Sequence, residues 1–193
     1  MAGDAITPSL DQLKALTHPV RVRMLGILRT DGPATATALA TRLGLNTGAT
    51  SYHLRQLAQH GFVEDDRERG SGRERWWQAV HRSTHTDPER LGEGGGEVMD
   101  AYLQSVAATY VHQLQRALEE RPLLPEEWRA VGTVSDWHRR LTPEQTRALR
   151  DRIGDLVAEV DDSDEPGAEH VVLQVNLYPE PGRLGPAEPG EGP

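Results

Sequence analysis

Residues 38–63 read ALATRLGLNTGATSYHLRQLAQHGFV. A short helix is expected over roughly Ala36–Leu43, with Leu39, Ala40 and Leu43 facing inward. Gly44 suits the left-handed position after a helix end. Leu45 is the apolar residue of a tight turn, and Asn46 is a good N-cap for a second helix running from Thr47 to about His60. Thr50, Leu54, Leu57 and Ala58 form that helix's buried stripe, and Gly61 ends it. Two helices joined by a three-residue, glycine-containing turn are the elements of a helix–turn–helix.

Working outward, Ser9 and Gln12 have capping-box spacing, and Leu10, Leu13 and Leu16 follow at intervals of three. His18-Pro19 interrupts this first helix, because the residue before proline avoids the helical region. Pro19 then opens a second helix to about Arg29, with Val20, Met24, Ile27 and Leu28 on one face. Asp31-Gly32-Pro33 stops it. Downstream, FVEDDRER (62–69) and RERWWQAV (73–80) flank Gly70-Ser71-Gly72, a β-hairpin with a glycine tip. The fold class is therefore mainly α with a β-wing: a winged helix–turn–helix over 1–82.

With Thr50, Leu54 and Leu57 buried, the opposite face of the second helix of the motif presents Thr47, Gly48, Ser51, Tyr52 and Arg55. Short hydrogen-bonding groups near a helix N-terminus, a glycine allowing close approach and a cation are what a major groove accepts. The helix N-terminus also favours phosphate. Arg55 can hold a guanine edge in two places or a single phosphate. His53 borders the buried stripe, where a packing role and a DNA contact are both open. The hairpin adds Arg67, Arg69, Arg73 and Arg75, suited to backbone or minor-groove contact. Glu64, Asp65, Asp66, Glu68 and Glu74 partly oppose them. Trp76 and Trp77 point to opposite sides of their strand, one toward the core.

Residues 9–82 resemble the winged helix–turn–helix domain of the ArsR-type bacterial transcriptional regulators. LKALTHPVRVRMLGILR (13–29) looks like that family's L-x-HP-x-R opening, and LATRLGLNTGATSYHLRQLAQHGFV (39–63) like its helix–turn–helix, with the S-x-HL phrase at Ser51-Tyr52-His53-Leu54. The resemblance implies a homodimer on a palindromic operator, usually a repressor. Metal-sensing members carry two cysteines where this chain has Pro33-Ala34-Thr35-Ala36-Thr37. Others place acid and histidine ligands on a C-terminal dimer helix, where this chain offers Asp100 and His112, with Tyr102 and Arg116 near the remaining positions. No metal site is carried over and no cofactor is expected.

Residues 83–97 read as a Gly-rich linker (GEGGGE). A long dimerisation helix is expected over 98–121: Val98, Tyr102, Val106, Tyr110, Leu114 and Leu118 recur every four residues, joined by Met99, Leu103 and Val111. That stripe is too wide for one neighbour and implies packing between partners, with Tyr102, Val106, Tyr110 and Leu114 as dimer contacts. A small β-α-β, or α+β, C-terminal region is expected over 122–178. Its elements are a strand at Ala130–His138, a capped helix from Thr142-Pro143 and an alternating strand at Val171–Leu177. It is a candidate effector or partner domain. Trp128, Trp137, His138, Arg139 and Arg140 fit an effector pocket or ordinary packing equally well. The tail at 179–193 reads as disordered.

The chain has 193 residues and a net charge of −9, but the charge is divided. Met1–Arg82 holds 11 basic and 8 acidic residues (+3), and Ser83–Pro193 holds 10 and 22 (−12). A basic front and an acidic rear suggest two tasks. Of the 21 basic residues only Lys14 is lysine. With no cysteine there is no disulfide, thiolate metal site or cysteine nucleophile. No apolar run approaches the roughly 18 residues of a membrane span, and Met1–Ser9 has no secretion signal, so a soluble cytoplasmic protein is the expectation. His81 and His85 have i, i+4 spacing near Asp87, but they sit at a strand end, where that spacing brings no ligands together. No nucleophile–base pair or phosphate loop stands out in 98–178, so an enzyme is not expected. A winged-helix module that binds a protein instead of DNA is the alternative.

Overall fold

The computed structural model describes residues 5–67, 69, 74–87 and 90–185. They form two compact units, 1–129 and 130–193.

In the first unit, the short strand β1 (Ala5–Ile6) leads into α1 (Leu10–Ala15) and α2 (Pro19–Thr30). The expected capping box is present: the Gln12 amide donates to Ser9 Oγ (3.3 Å) and the Ser9 amide to Gln12 Oε1 (3.0 Å). Gln12 also donates through Nε2 to the His60 carbonyl (3.1 Å), tying α1 to the end of the helix–turn–helix. His18 N-caps α2 by accepting from the Val20 amide at Nδ1 (3.2 Å).

Strand β2 (Ala34–Thr35), α3 (Ala36–Leu43) and α4 (Thr47–Gln59) follow. Gly44 holds φ +66° at the end of α3, a conformation L side chains avoid. The Leu45 amide reaches back to the Ala40 carbonyl (2.9 Å), and Asn46 Oδ1 accepts from Ala49 (2.8 Å) to start α4. Turn and cap together fix the angle at which α4 leaves α3.

The wing is a three-stranded antiparallel sheet in the order β2, β4 (Trp76–Ala79), β3 (Val63–Asp65), with Val63 opposite Ala79 and Asp65 opposite Trp77. Trp77 is the tryptophan that enters the core. It joins Leu16, Met24, Leu25, Leu28, Leu39, Leu54, Leu57, Phe62 and Val63 in one cluster, with Phe62, the only phenylalanine, fully buried.

Among the described residues, the segment read as a linker, 83–97, packs in part against the rest of the first unit. Its first residues form β5 (Ser83–Thr84), which pairs in parallel with β1, and Leu91 is buried. Arg29 donates to the His81 carbonyl (2.8 Å) and Thr84 Oγ1 (2.9 Å). Composition marks this stretch as a linker, because glycine and charge are common in linkers; Leu91 and the short β1–β5 ladder pack part of it. The long helix α5 (Gly95–Glu120) begins three residues earlier than expected and packs against α1 and α2. A 3-10 turn (Arg121–Leu123) and α6 (Glu126–Val131) follow.

In the second unit the expected helix forms as α7 (Pro143–Ala158), with its capping box between Thr142 and Gln145. The two expected strands do not. Ala130 and Val131 end α6, and neither 132–138 nor 171–177 belongs to a sheet among the described residues. Alternating side chains favour a strand only where a neighbouring backbone supplies the ladder, and none does here. Of the tail, 186–193 lies outside the described residues.

Candidate nucleic-acid interface

Helix α4 sorts its faces as its sequence dictates. Thr50, Leu54 and Leu57 are buried, while Thr47, Gly48, Tyr52 and Arg55 are exposed and Ser51 is half-buried. Thr50 satisfies its hydroxyl within the helix by donating to the Asn46 carbonyl (3.1 Å). No Asp or Glu occurs between Thr47 and Gln59, so the helix itself places no carboxylate on this face.

His53 stands on the inner border. Its ring centroid lies 4.6 Å from that of His18 at the start of α2, and 5.5 Å from that of Tyr52. His53 Nδ1 is buried with no hydrogen-bond partner. Burial, then the neighbouring His18 and Arg21, hold the His53 imidazole below its usual pKa. Burial and Arg21 do the same to His18.

A cleft of about 340 Å³ opens beside α4, between Thr35 and Thr37 at the start of α3, Ser51 and Arg55 on α4, and Glu74 and Arg75 of the wing. The wing arginines are largely committed. Arg75 Nε donates to Asp65 Oδ2 (2.8 Å), and its guanidinium lies 4.6 Å from the centre of the Trp77 ring. Arg69 pairs with Asp66 (3.3 Å), whose carboxylate is nearly buried. Arg67 is exposed, and Arg73 lies outside the described residues. By composition these acids only oppose the positive charge of the wing; it is their position in the folded wing that makes Asp65 and Asp66 the partners of Arg75 and Arg69. Pairing across adjacent strands was the available signal, since Asp65 sits opposite Trp77, two residues from Arg75.

Along α5 the wide stripe divides in two. Tyr102 packs against the chain's own core cluster, and Ser105 and Thr109 are buried beside it. Burial and nearby Tyr110 push the Tyr102 phenol above its usual pKa. Val106 and Tyr110 are half-buried, whereas Leu103, Val111, Leu114 and Leu118 are exposed. His112 meets Arg23 of α2 (3.0 Å). No group of three or more potential metal ligands occurs among the described residues.

Residues 16–66 match the family model of a helix-turn-helix domain. The matched segment runs from the end of α1 through the first residues of the wing. The chain thus carries a helix–turn–helix within a mainly helical fold with a small sheet wing. No curated protein sequence matches the chain. Among solved structures, it is similar to a possible transcriptional regulator for arsenical resistance, at 25% identity and a TM-score of 0.32, over 57% of this chain and 95% of that one. It is similar to a mutant of Lactococcus lactis ZitR in apo form, at 14% identity and a TM-score of 0.31, over 72% and 80%. A third is transcriptional regulator Tm0710 from Thermotoga maritima, at 11% identity and a TM-score of 0.30, over 74% and 80%. No helix among the described residues is long and apolar enough to cross a membrane.

Proposed function

We propose that the protein is a sequence-specific DNA-binding transcriptional regulator, acting as a homodimeric repressor on a palindromic operator. The observation that carries this reading is the outer face of α4. It combines a capped N-terminus, exposed Thr47, Gly48, Tyr52 and Arg55, and no carboxylate, on a helix held at a fixed angle by Gly44 and Asn46. Such a helix enters a major groove N-terminus first, and Ser51 and Arg55 in the adjoining cleft reach a base edge or a phosphate.

The exposed half of α5 supplies the dimer contact. Leu103, Val111, Leu114 and Leu118 form a second apolar stripe next to the one that packs on α1 and α2. Tyr102 packs on the core cluster of its own chain. A two-fold pair built this way presents two α4 helices to half-sites about 34 Å apart. The acidic 130–193 unit is the candidate region for an effector or a protein partner.

A second reading is favoured by one feature: Asp65 and Asp66 neutralise Arg75 and Arg69, so the wing is not a cationic arm. A winged helix that binds a protein has such a surface. Sequencing DNA fragments retained by the purified protein, followed by anisotropy titration of the recovered site at several salt concentrations, separates the two. Specific retention with a steep loss of affinity in salt supports DNA; no enriched sequence and no salt slope refutes it.

A further inference from the structure

Helix α7 carries Leu149, Ile153, Leu156 and Val157 at helical spacing on one side, and Val160 follows two residues past its end. Nothing among the described residues covers the C-terminal part of this stripe: Leu156 and Val160 are 63% and 74% exposed. Leu149, Ile153 and Leu156 floor a shallow groove of about 420 Å³ with Arg152, Asp155 and Glu159 along one rim.

The charges say what fits there. Arg147 is paired with Glu144 (3.4 Å) and Arg150 with Asp151 (2.7 Å), both within the helix. Arg152, Asp155 and Glu159 have no such ion pair among the described residues. The helix therefore runs from a rim cation near its middle to rim anions toward its end, and Asp161, Asp162, Asp164 and Glu165 follow. We infer that α7 is a self-association helix, seated antiparallel on α7 of a second copy of this chain.

A two-fold axis near Asp155 lays Leu149 against the partner's Val160 and Ile153 against the partner's Leu156. A two-fold contact repeats every interaction, so one complementary pair counts twice. Here it sets Arg152 within one turn of the partner's Asp155 and Glu159. Parallel docking stacks Arg152 on Arg152 and the acidic ends on each other, which like-charge repulsion opposes. A sheet or a basic partner would match the apolar floor or the anions, but not the alternation of both along one rim. The inference rests neither on DNA binding nor on the α5 contact.

The test is sedimentation velocity of the full-length chain over a concentration series, run in the parent and in a Leu114→Glu background that removes the α5 contact. Leu156→Glu, at an exposed position, should keep the helical circular dichroism and weaken self-association about ten-fold. Arg152→Glu and Glu159→Arg should each weaken it about three- to ten-fold, and the double variant should recover most of that loss. The chain has no native cysteine, so a Leu156→Cys copy should cross-link by a short bismaleimide to a differently tagged Ile153→Cys copy. Unchanged association of Leu156→Glu in both backgrounds, a double variant as weak as the singles, or cross-links only within one chain would each overturn the assignment. Loss of association in Leu114→Glu alone would uphold the α5 contact and refute this one. Sensitivity to the α7 variants alone would do the reverse.

Discussion

The His18 and His53 rings stand 4.6 Å apart and tilted by 51°, joining the first turn of α2 to the middle of α4. His18 Nδ1 is already accepting a hydrogen bond from the Val20 amide, so His18 caps α2 as an unprotonated ring. His53 Nδ1 is buried without a partner. Adding a proton to either ring sets a cation against its neighbour and Arg21, at the junction that orients α4.

This arrangement makes stability pH-dependent. Unfolded, both imidazoles titrate near 6.5; folded, both titrate lower. Below neutrality the unfolded chain therefore binds more protons, and stability rises with pH. It should be complete above the unfolded value and fall as pH drops through 6.5 toward the folded values. The urea midpoint should decline on acidification, and His53→Gln should flatten the decline. An equal slope in parent and variant would show that the pair does not couple to folding.

Arg55 is the one cation on the outer face of α4. On the DNA reading, Arg55→Ala should weaken operator binding by about 1–3 kcal/mol if it reads a base, with loss of preference at one position. If it holds a phosphate, the loss should be uniform across sequences and the salt slope about one unit shallower. Anisotropy with a set of single-base operator variants distinguishes these, and an unaltered titration rules out both roles.

Asp65 restrains Arg75 through a 2.8 Å ion pair on the edge of the α4 cleft. Asp65→Asn should release the guanidinium and remove a nearby negative charge. DNA affinity should then rise about two- to five-fold with a steeper salt dependence, the scale of an exposed ion pair. A fall in affinity would mean that Asp65 positions Arg75 for contact and does not restrain it.

Gly95 opens α5 directly beneath Leu91. A Cβ at Gly95 would overlap Leu91 Cβ, closer than packed carbons approach. Gly95→Ala should cost about 1–3 kcal/mol in thermal or urea unfolding, the range for overpacking, by displacing Leu91 or the first turn. Gly96→Ala is the control: a Cβ there meets nothing within 4 Å, and it should be neutral or slightly stabilising.

Legibility followed the range of the forces involved. The α3–turn–α4 unit was readable residue by residue, because Gly44, Asn46 and the Leu54–Leu57 stripe act over a single turn. The site face of α4 came with it, since burying Thr50 and Leu54 turns Thr47, Tyr52 and Arg55 outward. The state of the wing arginines was not readable, because whether Arg75 is free depends on strand register and on which carboxylate lies opposite. Likewise the alternation at Val171–Leu177 describes a strand's faces, but a strand exists only through a partner backbone.

The sequence by itself determined the local elements: caps at Ser9, Asn46 and Thr142, stops at Gly44 and Asp31-Gly32-Pro33, and the helical faces between them. These follow from backbone hydrogen bonding and steric limits within a few residues. Only the tertiary structure decided which side of α5 is internal, that Leu91 and the Ser83–Thr84 strand fasten the glycine-rich segment, and that His53 turns toward His18. Those outcomes depend on burial and charge pairing between residues far apart in the chain, where one side chain's surroundings are set by segments its own sequence does not encode.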